Sequence, residues 1–114
     1  MRVILTYGKF SHDGKTEFHG LIAKCHIHKD DTIESVNCMV GKINLNNKKG
    51  SPVLIAPYAG LYEKKSEFMN FDEAEKLFKN LSSKIKGSTL LSLKYPEIHE
   101  HVIPPDDFLK FLEC

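Results

Sequence analysis

Apolar and polar residues alternate through the first part of the chain, and the alternation predicts strands. Val3–Tyr7 is rich in β-branched and aromatic residues and predicts a first strand. Asp13-Gly14, inside Ser11-His12-Asp13-Gly14-Lys15, predicts a hairpin turn because glycine tolerates φ > 0. A second strand runs from about Thr16 to His28. Leu21, Ala23, Cys25 and Ile27 face one way along it, and Ile22, Lys24, His26 and His28 the other. Phe18 breaks that parity, so a bulge is expected at Gly20. After a polar turn at Lys29-Asp30-Asp31, Thr32–Leu45 predicts a third strand with Val36, Cys38 and Val40 on one face. Gly41 would shift its apolar set to Ile43 and Leu45. Asn46-Asn47-Lys48-Lys49-Gly50 predicts an exposed turn. Pro52–Tyr58 predicts a fourth strand, placed at an edge by Pro52 and Pro57.

Beyond a charged link at Glu63–Glu67 the period changes from 2 to 3.6. Asn70 is a suitable N-cap with Glu73 three residues on, and Phe71, Ala74, Leu77, Phe78, Leu81 and Ile85 form one apolar stripe ended by Gly87. Thr89–Tyr95 predicts a fifth strand. Pro104-Pro105 break the chain, and Asp106-Asp107 suit the start of a short final helix, Phe108–Glu113. The expected order is β-β-β-β-α-β-α. This is an α+β fold with an antiparallel sheet of 4–5 strands, the main helix packed on one face and a short C-terminal helix. Residues 1–114 are expected to form a single domain. The very apolar Phe108, Leu109, Phe111 and Leu112, together with open sheet edges, predict a homo-oligomer.

Composition narrows the function more than it names it. A net charge of +1 removes the broad electrostatic footprint of a dedicated nucleic-acid binder. Arg2 is the only arginine among 16 basic residues, so an arginine-built phosphate site is not expected. The three cysteines, Cys25, Cys38 and Cys114, form no C-x-x-C and no repeated spacing. Cys25 and Cys38 fit small core hydrophobes better than a disulfide framework. No signal-peptide pattern and no apolar run of membrane-spanning length occurs, which predicts no membrane association and a cytoplasmic location, in the protein's own cell or a host's.

Candidate chemistry centres on histidine. His26/His28 and His99/His101 are H-x-H pairs, and a step of two on a strand puts both imidazoles of a pair on one face. Four imidazoles could hold a transition metal, with Glu97 or Glu100 as acid or base. Against this, Lys24 and Lys29 flank the first pair, which predicts solvent-facing histidines. The second pair lies between Pro96 and Pro104, a loop setting, so no metal and no cofactor are expected. No nucleophile elbow, phosphate loop or dinucleotide fingerprint is present, and Cys25 and His26 point to opposite faces of a strand. Tyr58-Ala59-Gly60-Leu61-Tyr62 sets two tyrosines on a loop, an arrangement suited to contact with a partner or a flat small molecule.

Val3-Ile4-Leu5-Thr6-Tyr7-Gly8-Lys9-Phe10 resembles the first strand and Y-G-x-L turn of gamma-glutamylcyclotransferase-like proteins, with Phe10 where leucine is usual. The resemblance covers these eight residues. It implies a turn whose backbone grips an amino-acid substrate, brings Tyr7 among the candidate binding residues, and makes Glu63 or Glu67 the position of a catalytic glutamate.

By elimination, the expected function is that of a small non-enzymatic binding protein of inhibitor, immunity or anti-defence type. It would bind a protein partner or small ligand through Tyr7, His26, His28, Tyr58, Tyr62, His99 and His101, with no catalytic residue assigned. The alternatives are a histidine- or metal-dependent hydrolase using the two H-x-H pairs and a gamma-glutamylcyclotransferase-like enzyme.

Overall fold

A computed structural model of the chain describes residues 1–10, 17–58, 61–91 and 108–114. The expected turn at 11–15, the H-x-H pair at His99 and His101, and the final part of the expected fifth strand lie outside the described residues. The described elements are β1 (Arg2–Phe10), β2 (Phe18–His26), α1 (Ile33–Asn46), β3 (Val53–Pro57), a 3-10 turn (Lys65–Glu67), α2 (Phe71–Lys84), β4 (Ser88–Leu90) and β5 (Phe108–Glu113). They form an α+β fold around one sheet ordered β4-β3-β2-β1-β5.

The sheet is mixed, not antiparallel as expected. β1 pairs antiparallel with β2 and β5, while β3 pairs parallel with β2 and with β4. The parallel half follows from the first correction: Thr32–Leu45 contributes a helix, not a strand. Val36, Met39, Val40 and Ile43 recur at i, i+3, i+4 and i+7, and Val36, Met39 and Ile43 are the residues α1 buries. Thr32 starts the helix, its backbone N–H donating to Ser35 Oγ at 3.1 Å. A helix between two strands supplies the crossover that parallel pairing needs. Gly41 therefore lies inside a helix and makes no bulge.

β3 is accordingly a central strand. Pro52 precedes it and Pro57 is its last residue, positions where a missing N–H costs the ladder little. β2 also runs without the bulge expected at Gly20, since the register is unbroken from Arg2↔His26 to Phe10↔Phe18. Gly20 is needed for another reason: a Cβ there would stand 2.5 Å from Pro52 O, the oxygen that accepts the Leu21 amide at 2.9 Å. Phe18 keeps its parity and packs with Ile22 and Leu54 in a small second cluster on the far side of the sheet.

α2 matches its expected stripe, burying Ala74, Phe78 and Leu81 with Ile85 just beyond, and the Asn70 side chain accepts from the Asp72 N–H at 2.8 Å. Phe71 departs from it, being 71% exposed on the first turn. The helix ends at Lys84 with Ile85 as its C-cap, and Gly87, at φ 74°, lies in the following turn, which the Ser88 N–H closes on Ile85 O at 3.2 Å. Both helices cover the sheet face formed by Val3, Leu5, Leu21, Ala23, Cys25, Val53, Ile55 and Leu112.

The second large correction is at the C-terminal end. Phe108–Glu113 is strand β5, an edge strand beside β1, where a short helix was expected. Six residues close too few helical hydrogen bonds to offset nucleation, whereas β1 offers a ready edge. Leu112 enters the core and Phe111, 46% exposed, faces the other side. The third correction concerns cysteine: Cys38 and Cys114 form a disulfide with Cα atoms 6.1 Å apart, and only Cys25 is the buried free thiol expected.

Candidate functional site

The register of the hairpin builds the site. Arg2 lies directly across from His26 on β2 and from Glu113 on β5, so Glu113, Arg2 and His26 form a row at one end of the sheet, on the face away from the helices. The segment after β3 folds over this row. Leu61 clamps it from both ends: its N–H donates to His26 Nδ1 at 3.3 Å and its carbonyl accepts from Arg2 Nη1 at 2.8 Å. Tyr62 follows, packed edge-on to His26 at 4.7 Å, tilted against His28 at 5.1 Å and under the Arg2 guanidinium at 4.3 Å. Phe68 closes the other side of His26 at 4.5 Å, tied down by a bridge to His28 and by the Lys29 amide donating to Glu67 O at 2.8 Å.

A charged anchor lies beside this cage. The Met1 ammonium contacts Asp31 at 2.6–2.8 Å and donates to Cys114 O at 2.8 Å. Asp31 Oδ2 also accepts the His28 N–H at 2.7 Å. Glu113 stands 3.6 Å from Arg2 Nε, a buried atom with no hydrogen-bond partner among the described residues. Farther along the same face Thr6, across from Ile22, holds a buried hydroxyl with no hydrogen-bond partner among the described residues.

His26 is 6% exposed, which corrects the expectation of a solvent-facing side chain. Burial lowers its pKa from 6.5 to about 4, helped by the Met1 ammonium, Arg2 and His28 and opposed by Asp31. The ring is therefore neutral, with Nδ1 accepting from Leu61 and the proton on Nε2. His28 is half-buried, and its Nδ1 likewise accepts the Asp30 amide at 3.1 Å. Burial, then the Asp31 charge, pushes the Tyr62 phenol up to about 12 against the pull of Arg2. The Cys25 thiol, on the opposite face, is pushed far up by burial. Burial also lowers the pKa of Lys24.

The structure thus gathers His26, His28 and Tyr62 and adds Arg2, Phe68, Leu61 and Asp31, which sequence reasoning missed. The sole arginine was a signal, and the ladder register places it across from His26. Tyr58 sits close by in the chain, its N–H donating to Cys25 O at 2.8 Å and its ring 5.2 Å from Lys24 Nζ. Tyr7 is not part of the site. It packs on the helix-covered face toward the other end of the sheet, with Lys49 Nζ 4.8 Å from its ring. Gly8 pairs with Gly20 inside the ladder, so Tyr7–Phe10 is continuous strand where the Y-G-x-L resemblance implied a turn. No group of three metal-ligating side chains occurs among the described residues.

No family model and no curated protein matches the sequence. A solved structure named c-Myc DNA Unwinding Element Binding Protein superposes with a TM-score of 0.51 at 16% identity, over 78% of this chain and 82% of that one. The likeness is one of fold. Among the described residues no helix is long and apolar enough to cross a membrane.

Proposed function

We propose that the chain is a small non-enzymatic binding protein of the inhibitor, immunity or sequestering type, and that it engages a protein partner or small ligand at the end of the sheet built by Arg2, His26, His28 and Tyr62. The observation that supports this most is the state of His26, a neutral ring held by an amide donor and boxed between two aromatic rings. Such a ring is a fixed support that positions Arg2, His28 and Tyr62 at the sheet end. A general base would need an accessible lone pair, and the one on Nδ1 is already taken. Metal-bound imidazoles use their second nitrogen as a donor, whereas His26 and His28 both use Nδ1 as an acceptor. Arg2 and His28 supply the cationic and polar edge, and Tyr62 the aromatic floor.

The structural neighbour is by name a DNA unwinding element binding protein. Broad nucleic-acid binding is nevertheless not part of this reading, because a net charge of +1 does not supply the overall positive field that favours it. Self-association remains part of it, with Phe111 half-exposed on an edge strand as its structural support.

Affinity capture with the wild type and with an Arg2→Gln/His28→Gln variant, matched for thermal stability, tests the site. A partner held by the wild type and lost by the variant supports it. Equal capture by both proteins overturns it, and so does tight binding of generic duplex or single-stranded DNA by both.

A further inference from the structure

The Cys38–Cys114 disulfide ties a helix to the strand end that holds the site together. Cys38 is exposed on α1. Cys114 follows β5 and exchanges both backbone hydrogen bonds with Met1, donating to Met1 O at 2.9 Å and accepting from the Met1 ammonium at 2.8 Å. That ammonium holds Asp31, which receives the His28 amide. Glu113, next to the disulfide, faces Arg2, and its carbonyl accepts from Lys42 Nζ on α1. Arg2 in turn covers Tyr62. One bond on the surface is therefore coupled to the Asp31–His28 and Arg2–Tyr62 arms of the site. The third thiol cannot interfere, since Cys25 is fully buried on the opposite face and its pKa is raised, which removes the thiolate that exchange requires.

We propose that Cys38–Cys114 is a redox latch: a dithiol reductant opens it and loosens the β5 end together with Met1 and Arg2, and exchange with a small-molecule disulfide, itself reduced to two thiols, closes it again. The attacking thiolate forms a mixed disulfide with Cys38, and Cys114 leaves as a thiolate and takes up a proton. The reagent's second thiol then releases Cys38 and closes the reagent's own disulfide. Two electrons and two protons pass to the protein. A reducing compartment keeps such an exposed bond open and an oxidising one keeps it closed. The functional consequence, though not the latch itself, rests on the reading of the Arg2–Tyr62 region as a binding surface.

The test compares the full chain oxidised and after dithiothreitol treatment. Thiol titration in denaturant should give one thiol before reduction and three after. Backbone amides of β5, of Val3 and of His28 should exchange at least about threefold faster in the reduced protein, with α2 unchanged. Cys38→Ser should show the fast pattern under both conditions. Three thiols in the air-oxidised protein, or identical exchange in both states, overturns the latch. Partner capture in each state separates the two readings: altered exchange with no partner in either state supports the latch and overturns the binding site, whereas equal capture with equal exchange overturns the latch alone.

Discussion

The two faces of the sheet solve different problems with the same strands. On the face under α1 and α2 the covered positions are apolar: Val3, Leu5, Leu21, Ala23, Cys25, Val53 and Ile55 are all fully buried, and the polar Lys9 and His19 share that parity only at the far end of the hairpin. The opposite face is apolar around Ile22 and Leu54 and at Ile4 and Phe111, and carries polar groups at the end where Arg2 and His26 lie. It buries those groups by pairing them: His26 with the Leu61 amide, Arg2 with the Leu61 carbonyl, Asp31 with the Met1 ammonium. The first face is non-specific in its chemistry and tolerates any well-packed apolar set. The second is specific, because its paired polar groups depend on particular partners, and losing such a partner leaves a desolvated charge or dipole.

The sharpest way to break the comparison is to unpair a charge on the second side. Asp31→Asn leaves the Met1 ammonium, with Met1 fully buried, without its counter-charge and weakens the acceptor for the His28 amide. The expected loss is about 3–5 kcal/mol in urea unfolding. A change below about 1 kcal/mol would mean that the charge anchor is solvated and the two faces differ little. On the helix face, Leu81→Ala removes a fully buried side chain and should cost about 2–5 kcal/mol through the cavity it leaves. The two variants should differ in kind. Leu81→Ala should leave His28 and Tyr62 undisturbed by nuclear magnetic resonance, while Asp31→Asn should shift both.

The faces of β2 were legible from alternation, the antiparallel pairing of β1 with β2 from the hairpin signal between them, and the N-cap and most of the stripe of α2 from period 3.6 and Asn70. What alternation does not report is what covers a face. His26 and Lys24 were on the polar parity, so solvent was the expectation, yet the Leu61–Phe68 segment folds over the histidine from elsewhere in the chain. The helix α1 was missed because Val36 and Val40 fit both periods. Cys38 completes period 2, whereas Met39 and Ile43 complete 3.6, and the choice is made by the sheet face that needs a second helix. β5 was missed because six residues carry no decisive period, and its pairing with β1 joins opposite ends of the sequence. The disulfide followed both errors: with Cys38 on a strand and Cys114 on a helix, nothing brought them together.

A smaller effect separates the faces by pH. His26 has its folded pKa depressed to about 4 from 6.5, so the unfolded chain takes up the proton first. Stability is unaffected above pH 6.5, falls as pH drops from there toward about 4, and loses nothing further to this group below that. The loss is at most about 3 kcal/mol. His26→Gln can still accept the Leu61 amide but cannot titrate. Its stability should fall less steeply than the wild type's between pH 6.5 and 4, with carboxylate titrations common to both. Parallel curves would mean that His26 titrates as a solvated imidazole and that the cage is open.

The smallest expected effect lies away from both faces and calibrates the others. Gly41 sits in the middle of α1 on an exposed turn, with no positive φ and nothing within 4 Å of where a Cβ would stand. Glycine in a helix interior gives up more backbone entropy than alanine and contributes no side chain. Gly41→Ala should therefore stabilise the protein, by up to about 1 kcal/mol, through the unfolded chain as much as through the helix. The same substitution in a strand bulge at this position would be neutral or harmful, so the sign of the change also tests the reassignment of this segment from strand to helix. A rise in thermal midpoint with unchanged exchange at β5 and His28 would show that α1 can be stiffened without touching the site. A loss of stability would remove the helix from this segment and, with it, the crossover that makes β2 and β3 parallel.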